Sequence, residues 1–176
     1  MVGGMTVGEV RPGYELWHPN REKPSSLSMR LLIVVLLLVA AALMVIVVLG
    51  GWSILTGGAT WGIISLLLAG LYCVLAYMVW KWSRGALALT TAVSVILLVL
   101  FSTGVGSWFA RNKPDFSEAA LPSELLGMLV VVLIPLQAAI TVATAIGFRQ
   151  NWYVEEERPI AGETGSGQKG EPLPAD

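Results

Sequence analysis

Charge is scarce in this chain of 176 residues. Asp, Glu, Lys and Arg together make up 13% of it, against about 25% in an ordinary soluble domain. Hydrophobic residues reach 55% and are gathered in long runs. That combination excludes a soluble globular domain and a disordered chain. There is one cysteine, Cys73, so an internal disulfide or a thiolate metal site is excluded too. Cys73 lies inside an apolar run and reads as a small buried residue. The single histidine, His18, stands beside Pro19 in a polar segment and reads as a solvated side chain. The net charge of −1 and the lack of a basic patch leave no footprint for nucleic acid. No P-loop, GxSxG, HExxH or CxxC is present. The expectation is therefore a non-enzyme with no cofactor and no metal.

What is present is four apolar runs: Leu31–Leu49, Trp61–Trp80, Ala86–Val105 and Leu125–Phe148. A hydrocarbon core about 30 Å thick needs about 20 helical residues, and each run supplies that. None holds an ionisable side chain. Hydrocarbon leaves a backbone no water to bond, so each run should be a helix. A barrel strand would alternate polar and apolar residues, and these runs do not. A signal peptide would place a shorter apolar stretch close behind a basic start. Here about thirty polar residues come first, so the first run reads as an uncleaved helix.

The lack of ionisable groups inside the runs also argues against a proton-coupled transporter or proton channel. The chain divides into an N-terminal segment 1–29, a transmembrane region 30–149 and a tail 150–176 that reads as mostly disordered. Lys and Arg collect on the cytoplasmic side of membrane proteins. With both ends inside, nine of the eleven basic residues are cytoplasmic, so the expected topology is N-in, C-in. Short first and second loops make neighbours antiparallel. The expected fold is an all-α, antiparallel four-helix transmembrane bundle.

Indoles favour the headgroup level. Trp52, Trp61, Trp80, Trp82, Trp108 and Trp152 all fall at ends of the runs and read as interface anchors. The polar content of the runs is sparse. Pro135 removes a backbone hydrogen bond and crowds the Val131 carbonyl, which predicts a kink. Gln137 follows at the centre of the fourth run, and an unpaired amide in hydrocarbon would cost several kcal/mol, so it should point inward. Tyr72 and Ser94 lie at the same depth, giving a candidate midplane polar cluster of Tyr72, Ser94 and Gln137. A hydrogen bond from Gln137 to Tyr72, to Ser94 or to the Val131 carbonyl is expected.

In lipid, small residues mark the faces where helices meet. The second run has such a stripe at Gly62, Ser65, Ala69, Cys73 and Ala76, preceded by Gly58. The fourth has one at Gly127, Val131, Ile134, Ala138, Thr141 and Ala145, and the third offers Ala88, Thr91, Ala92 and Ser94. The first run has only Ala40, Ala41 and Ala42 in a row. Spans two to four should then form the tight core, with the first packed loosely at the edge. Between spans three and four, Asp115 and Glu118 have capping-box spacing. They predict a short helix over Phe116–Leu121, stopped by Pro122, with Ser123 capping the fourth span.

Two functions follow. The first is a structural or accessory protein in the cell membrane that binds another membrane protein or a second copy of itself, the lipid bilayer being its constant partner. The second is a small-molecule or lipid-handling protein, or an oligomeric channel, with its site near Gln137. The Ala, Gly, Leu and Val bias points to a bacterial inner membrane.

Overall fold

A computed structural model describes residues 14–55, 58–83, 85–109 and 119–160. The chain is mostly helical. A short strand β1 (Tyr14–Trp17) and one helical turn α1 (Pro19–Glu22) precede α2 (Pro24–Gly50). Then come α3 (Gly58–Trp80), α4 (Ala86–Phe109), α5 (Ser123–Arg149) and a second strand β2 (Glu156–Pro159). The four long helices are long and apolar enough to cross a membrane.

They extend past the apolar runs for local reasons. Helix α2 starts at Pro24, since proline is pre-set for the first helical turn and lacks the amide that would go unpaired there. Helix α5 starts at Ser123, with Pro122 rather than Ser123 in the cap position and no side-chain cap. The expected capping role of Ser123 is therefore not realised: it is the first residue inside the helix. Residues 119–121 are not helical. The rest of the short helix proposed over Phe116–Leu121, with Asp115 and Glu118, lies outside the described residues.

The packing order is α3–α2–α5–α4. Helix α4 runs against α5 along its length, α3 runs against α2, and α2 also packs on α5, whereas α3 and α4 barely touch. This corrects the expectation of a loose first span. Helix α2 lies between two neighbours and has the most buried segment of the four. The physical reason is that contact with two partners needs two faces. A sequence apolar all round supplies them, whereas a single stripe of small residues serves one. Ile33, Leu37, Ala40, Met44 and Val47 are buried along one line, and Ala41 and Val48 along the next.

The small-residue stripe holds on α3 at Gly62, Ala69 and Ala76 and fails at Cys73, whereas on α5, past Gly127, the buried line lies one position away from the expected one. On α3 the buried face runs Gly62, Ala69, Tyr72, Ala76 and Val79, while Cys73 is exposed on the surface. On α5 it runs Val130, Leu133, Gln137, Ile140, Thr144 and Gly147, while Val131 and Ala145 are on the surface. On α4, Ser94 is buried but Ala88 and Ala92 are exposed. One residue turns a helix by about 100°, so a stripe misread by one position names the wrong face.

The two outermost described segments meet at one end of the bundle, called proximal below. Strands β1 and β2 pair antiparallel, Tyr14 opposite Pro159 and Trp17 opposite Glu156. Arg158 forms a salt bridge with Glu15 at 2.6 Å. Residues 156–159 at the start of the tail thus find a strand partner in the N-terminal segment. Residues 161–176 lie outside the described residues.

Candidate functional site

The site begins with one amide. Gln137 occupies the middle of α5 and is 0% exposed. Its neighbour Pro135 lies on the surface and α5 continues through it. Two residues turn a helix by about 200°, so proline and amide stand on nearly opposite sides. Tyr72, fully buried on α3, donates its hydroxyl to Gln137 Oε1 at 2.5 Å. Helices α3 and α5 share no extended contact, so the length of the phenol bridges them. The carboxamide nitrogen Nε2 is buried with no hydrogen-bond partner. Exchanging the amide's oxygen and nitrogen does not remove the deficit, because the other atom is then left unpaired.

Ser94 does not join this pair directly. It belongs to a ladder of hydroxyls between α4 and α5. Ser94 Oγ stands 2.9 Å from Thr141 Oγ1, and Thr91 Oγ1 stands 2.7 Å from Thr144 Oγ1. As the number on α4 rises by three, that on α5 falls by three, which fixes the two helices antiparallel. Thr141 donates to the Gln137 backbone carbonyl at 2.9 Å, and Thr144 to that of Ile140 at 2.8 Å. The three midplane residues thus divide into a Tyr72–Gln137 pair and a Ser94 ladder joined through Thr141. Thr144 is the member that sequence reading missed. Its signal was the matched spacing of Thr91 and Ser94 against Thr141 and Thr144.

Away from the termini, the separation of α3 from α4 leaves an apolar cleft of about 240 Å³. Met44 of α2 and Val130 and Leu133 of α5 lie on its floor, with Trp61 of α3 and Phe101 and Trp108 of α4 on its walls. Near it, two glycines each seat a tryptophan ring. The Trp108 ring lies against Gly51 and the Trp52 ring against Gly62, and a Cβ at either glycine would collide with the ring. The stripes lining the cleft continue inward to the polar pair: Leu68 leads to Tyr72 and Leu133 to Gln137, four residues or about 6 Å in each case.

The proximal end is closed by aromatic and cationic groups. The Arg30 guanidinium lies 4.5 Å from the Trp80 ring centre and 4.6 Å from that of Trp82. The Trp82 ring meets Trp152 edge-on at 4.8 Å. Trp152, 1% exposed, packs beside Gly147 and accepts a hydrogen bond at its carbonyl from Arg21 Nε. Trp82 itself has a φ of +57°, a left-handed conformation that costs an L residue about 1–2 kcal/mol. It occupies the place where a helix C-terminus usually has glycine: Ser83 N–H bonds Met78 O and Trp82 N–H bonds Val79 O. The ring contacts with Arg30 and Trp152 offset that strain.

The six tryptophans therefore do not act alike. Trp52, Trp61 and Trp80 present large surfaces, and Trp82 and Trp108 are half-buried. Trp152 is a correction, because it is enclosed by protein and has no surface to offer a headgroup layer. The described residues contain no group of three His, Cys, Asp or Glu able to hold a metal ion. No family model, curated protein or solved structure matches the chain.

Proposed function

We infer that this is a non-enzymatic, multi-pass accessory protein of the cell membrane that receives a partner's transmembrane helix. The four long helices cross the bilayer as an antiparallel bundle with both termini in the cytoplasm. The observation that carries the partner-binding reading is a groove on the α2–α3 flank. There Ala41 and Ala42 face Ala69, Gly70 and Cys73 across an open space of about 580 Å³. Among the described residues, nothing beyond Gly70's own stretch of helix lies within 4 Å of where its Cβ would be. Small residues let helix backbones approach closely, which is the main source of helix association in lipid. The orientation is supported by the basic residues, nine of eleven on one side, and by β1–β2 pairing, which holds both ends at the same end of the bundle.

Cys73, the only cysteine, reports on this groove directly. In native membranes a docked helix should shield it from a membrane-permeant maleimide, and solubilisation in harsh detergent should expose it. Gly70→Leu should abolish both the shielding and co-purification of the partner. A second copy in the groove would instead give a Cys73–Cys73 cross-link under mild oxidation. Equal labelling in membrane and detergent, with Gly70→Leu changing nothing, would end the proposal. Orientation is tested separately: a reporter active only in the cytoplasm should work when fused at residue 176 and fail when fused after Asp115.

A further inference from the structure

We propose that the groove between α4 and α5 at the proximal end seats an anionic phospholipid, with its phosphate on Arg149 and one acyl chain along the alanines beyond. The observation that points there is a cation without a counterpart. Every other basic side chain among the described residues is engaged. Arg21 donates to the Trp152 carbonyl and Lys23 to the Asn20 side-chain oxygen. Arg30 lies on the rings of Trp80 and Trp82, and Lys81 on that of Tyr77. Arg158 pairs with Glu15. Among the described residues, the Arg149 side chain alone of the basic ones has no hydrogen bond, ion pair or ring contact.

Arg149 is the last residue of α5. It lines an open groove of about 530 Å³ together with Ala145 and Phe148 of α5 and Ala88, Thr91 and Ala92 of α4. Steps of four residues put Ala145 behind Arg149 on one helix and Ala92 beyond Ala88 on the other, so the groove runs inward from the guanidinium by about 6 Å. Its one hydroxyl asks for no ligand, since Thr91 donates to the Leu87 carbonyl at 2.9 Å and stands 2.7 Å from Thr144 Oγ1. An apolar trough with one cation at its outer end is complementary to an alkyl chain with an anionic head. The planar guanidinium matches two phosphate oxygens at once. Among the described residues, no acidic side chain lines the groove, so the ammonium of a zwitterionic headgroup would find no partner there. That favours a lipid of net negative charge. A basic side chain at the membrane surface attracts such lipids, and the groove adds a seat for the chain. It shares no residue with the groove containing Cys73, so the two sites can be tested apart.

The test uses the full-length protein in mild detergent, stripped of lipid, with phosphatidylglycerol and phosphatidylcholine of identical chains as probes. Bound lipids are counted by native mass spectrometry across a titration. Phosphatidylglycerol should bind about fivefold tighter, the factor that one basic residue contributes against anionic lipid. Arg149→Gln should remove that preference, and Arg149→Lys should keep most of it. Lys81→Gln, which removes a cation that does not line the groove, should leave the preference intact. Ala92→Trp, at an exposed position, fills the groove without altering charge and should weaken binding of both lipids. Equal affinity for the two lipids or a preference that survives Arg149→Gln would overturn the proposal. So would a loss with Lys81→Gln as large as with Arg149→Gln, since the attraction would then be diffuse. Unchanged binding to Ala92→Trp would overturn it as well, and so would a second protein chain, in place of lipid, that Ala92→Trp displaces.

Discussion

The proximal and distal halves of the four helices are built from the same kinds of residue but held in different ways. Toward the termini, helices are joined by directional contacts: the hydroxyl ladder between α4 and α5, the Arg30–Trp80–Trp82 stack, and Trp152 wedged beside Gly147. Toward the other end, contacts are of apolar side chains and of rings on glycine, and α3 and α4 separate to leave a cleft. Apolar surface gives helices in lipid little reason to prefer one neighbour over the bilayer, whereas polar groups and close-fitting small residues do. The tied half fixes the arrangement, and the other half leaves a cleft between α3 and α4.

The largest expected effect is in the tied half. Trp152→Ala should lower stability by about 3–5 kcal/mol through loss of a fully buried indole, read as thermal unfolding in detergent. Met128→Ala, on the exposed surface of the distal half, should stay within about 0.5 kcal/mol. If Met128 proved the more sensitive of the two, the contrast between halves would be wrong.

The central place of α2 is tested next. Ala40 is fully buried, so Ala40→Leu should destabilise by about 1–3 kcal/mol through overpacking. The same change at surface-facing Ala88 should be nearly silent. Equal tolerance at both positions would return α2 to the edge of the bundle.

The ladder should give a smaller signal. Thr141→Val and Thr144→Val should each cost about 0.6 kcal/mol, and rarely more than about 2, which is the usual range for such bonds in membranes. Ser102→Ala provides the control, because the bond that hydroxyl makes stays within its own helix, to Leu98 O. A double mutant cycle between Thr144 and Thr91 would show coupling if the ladder is real. Smallest of all is Arg158→Ala at the terminal ribbon. Both partners of its ion pair are about half exposed, so the loss should be about 0–1 kcal/mol and should vanish in high salt.

Much of the helical framework could be read before any coordinates. The four runs became four helices because length and lack of charge leave the backbone no other choice in hydrocarbon. That Gln137 points inward also followed from chemistry alone, as did Tyr72 as one of its possible partners. Which face of each helix is buried did not follow. On α3 and α5 apolar residues surround the helix, so a stripe of small residues can be drawn along several lines. On α5 the reading through Val131 was off by one residue, or about 100°, and on α3 it held at Gly62, Ala69 and Ala76 but failed at Cys73. The place of α2 was misjudged for a related reason, since uniform Leu, Val and Ile look like a lipid face and serve equally well as a centre. Trp152 follows the last apolar run like an anchor, and only its contacts with Gly147 and Trp82 show that it is enclosed.

By itself, then, the sequence determined four long helices, their order along the chain and the depth of the one amide in their midst. These depend on the length of the runs, their composition and the expense of unpaired polar groups, all of which are local. Tertiary structure decided the rest: that α2 lies between α3 and α5, that α3 and α4 part to open a cleft, and that Tyr72 reaches Gln137 from a helix two spans away in sequence. Those outcomes depend on which surfaces interlock, and interlocking is a property of pairs of helices. Periodicity within one helix does not contain it when apolar residues cover every side.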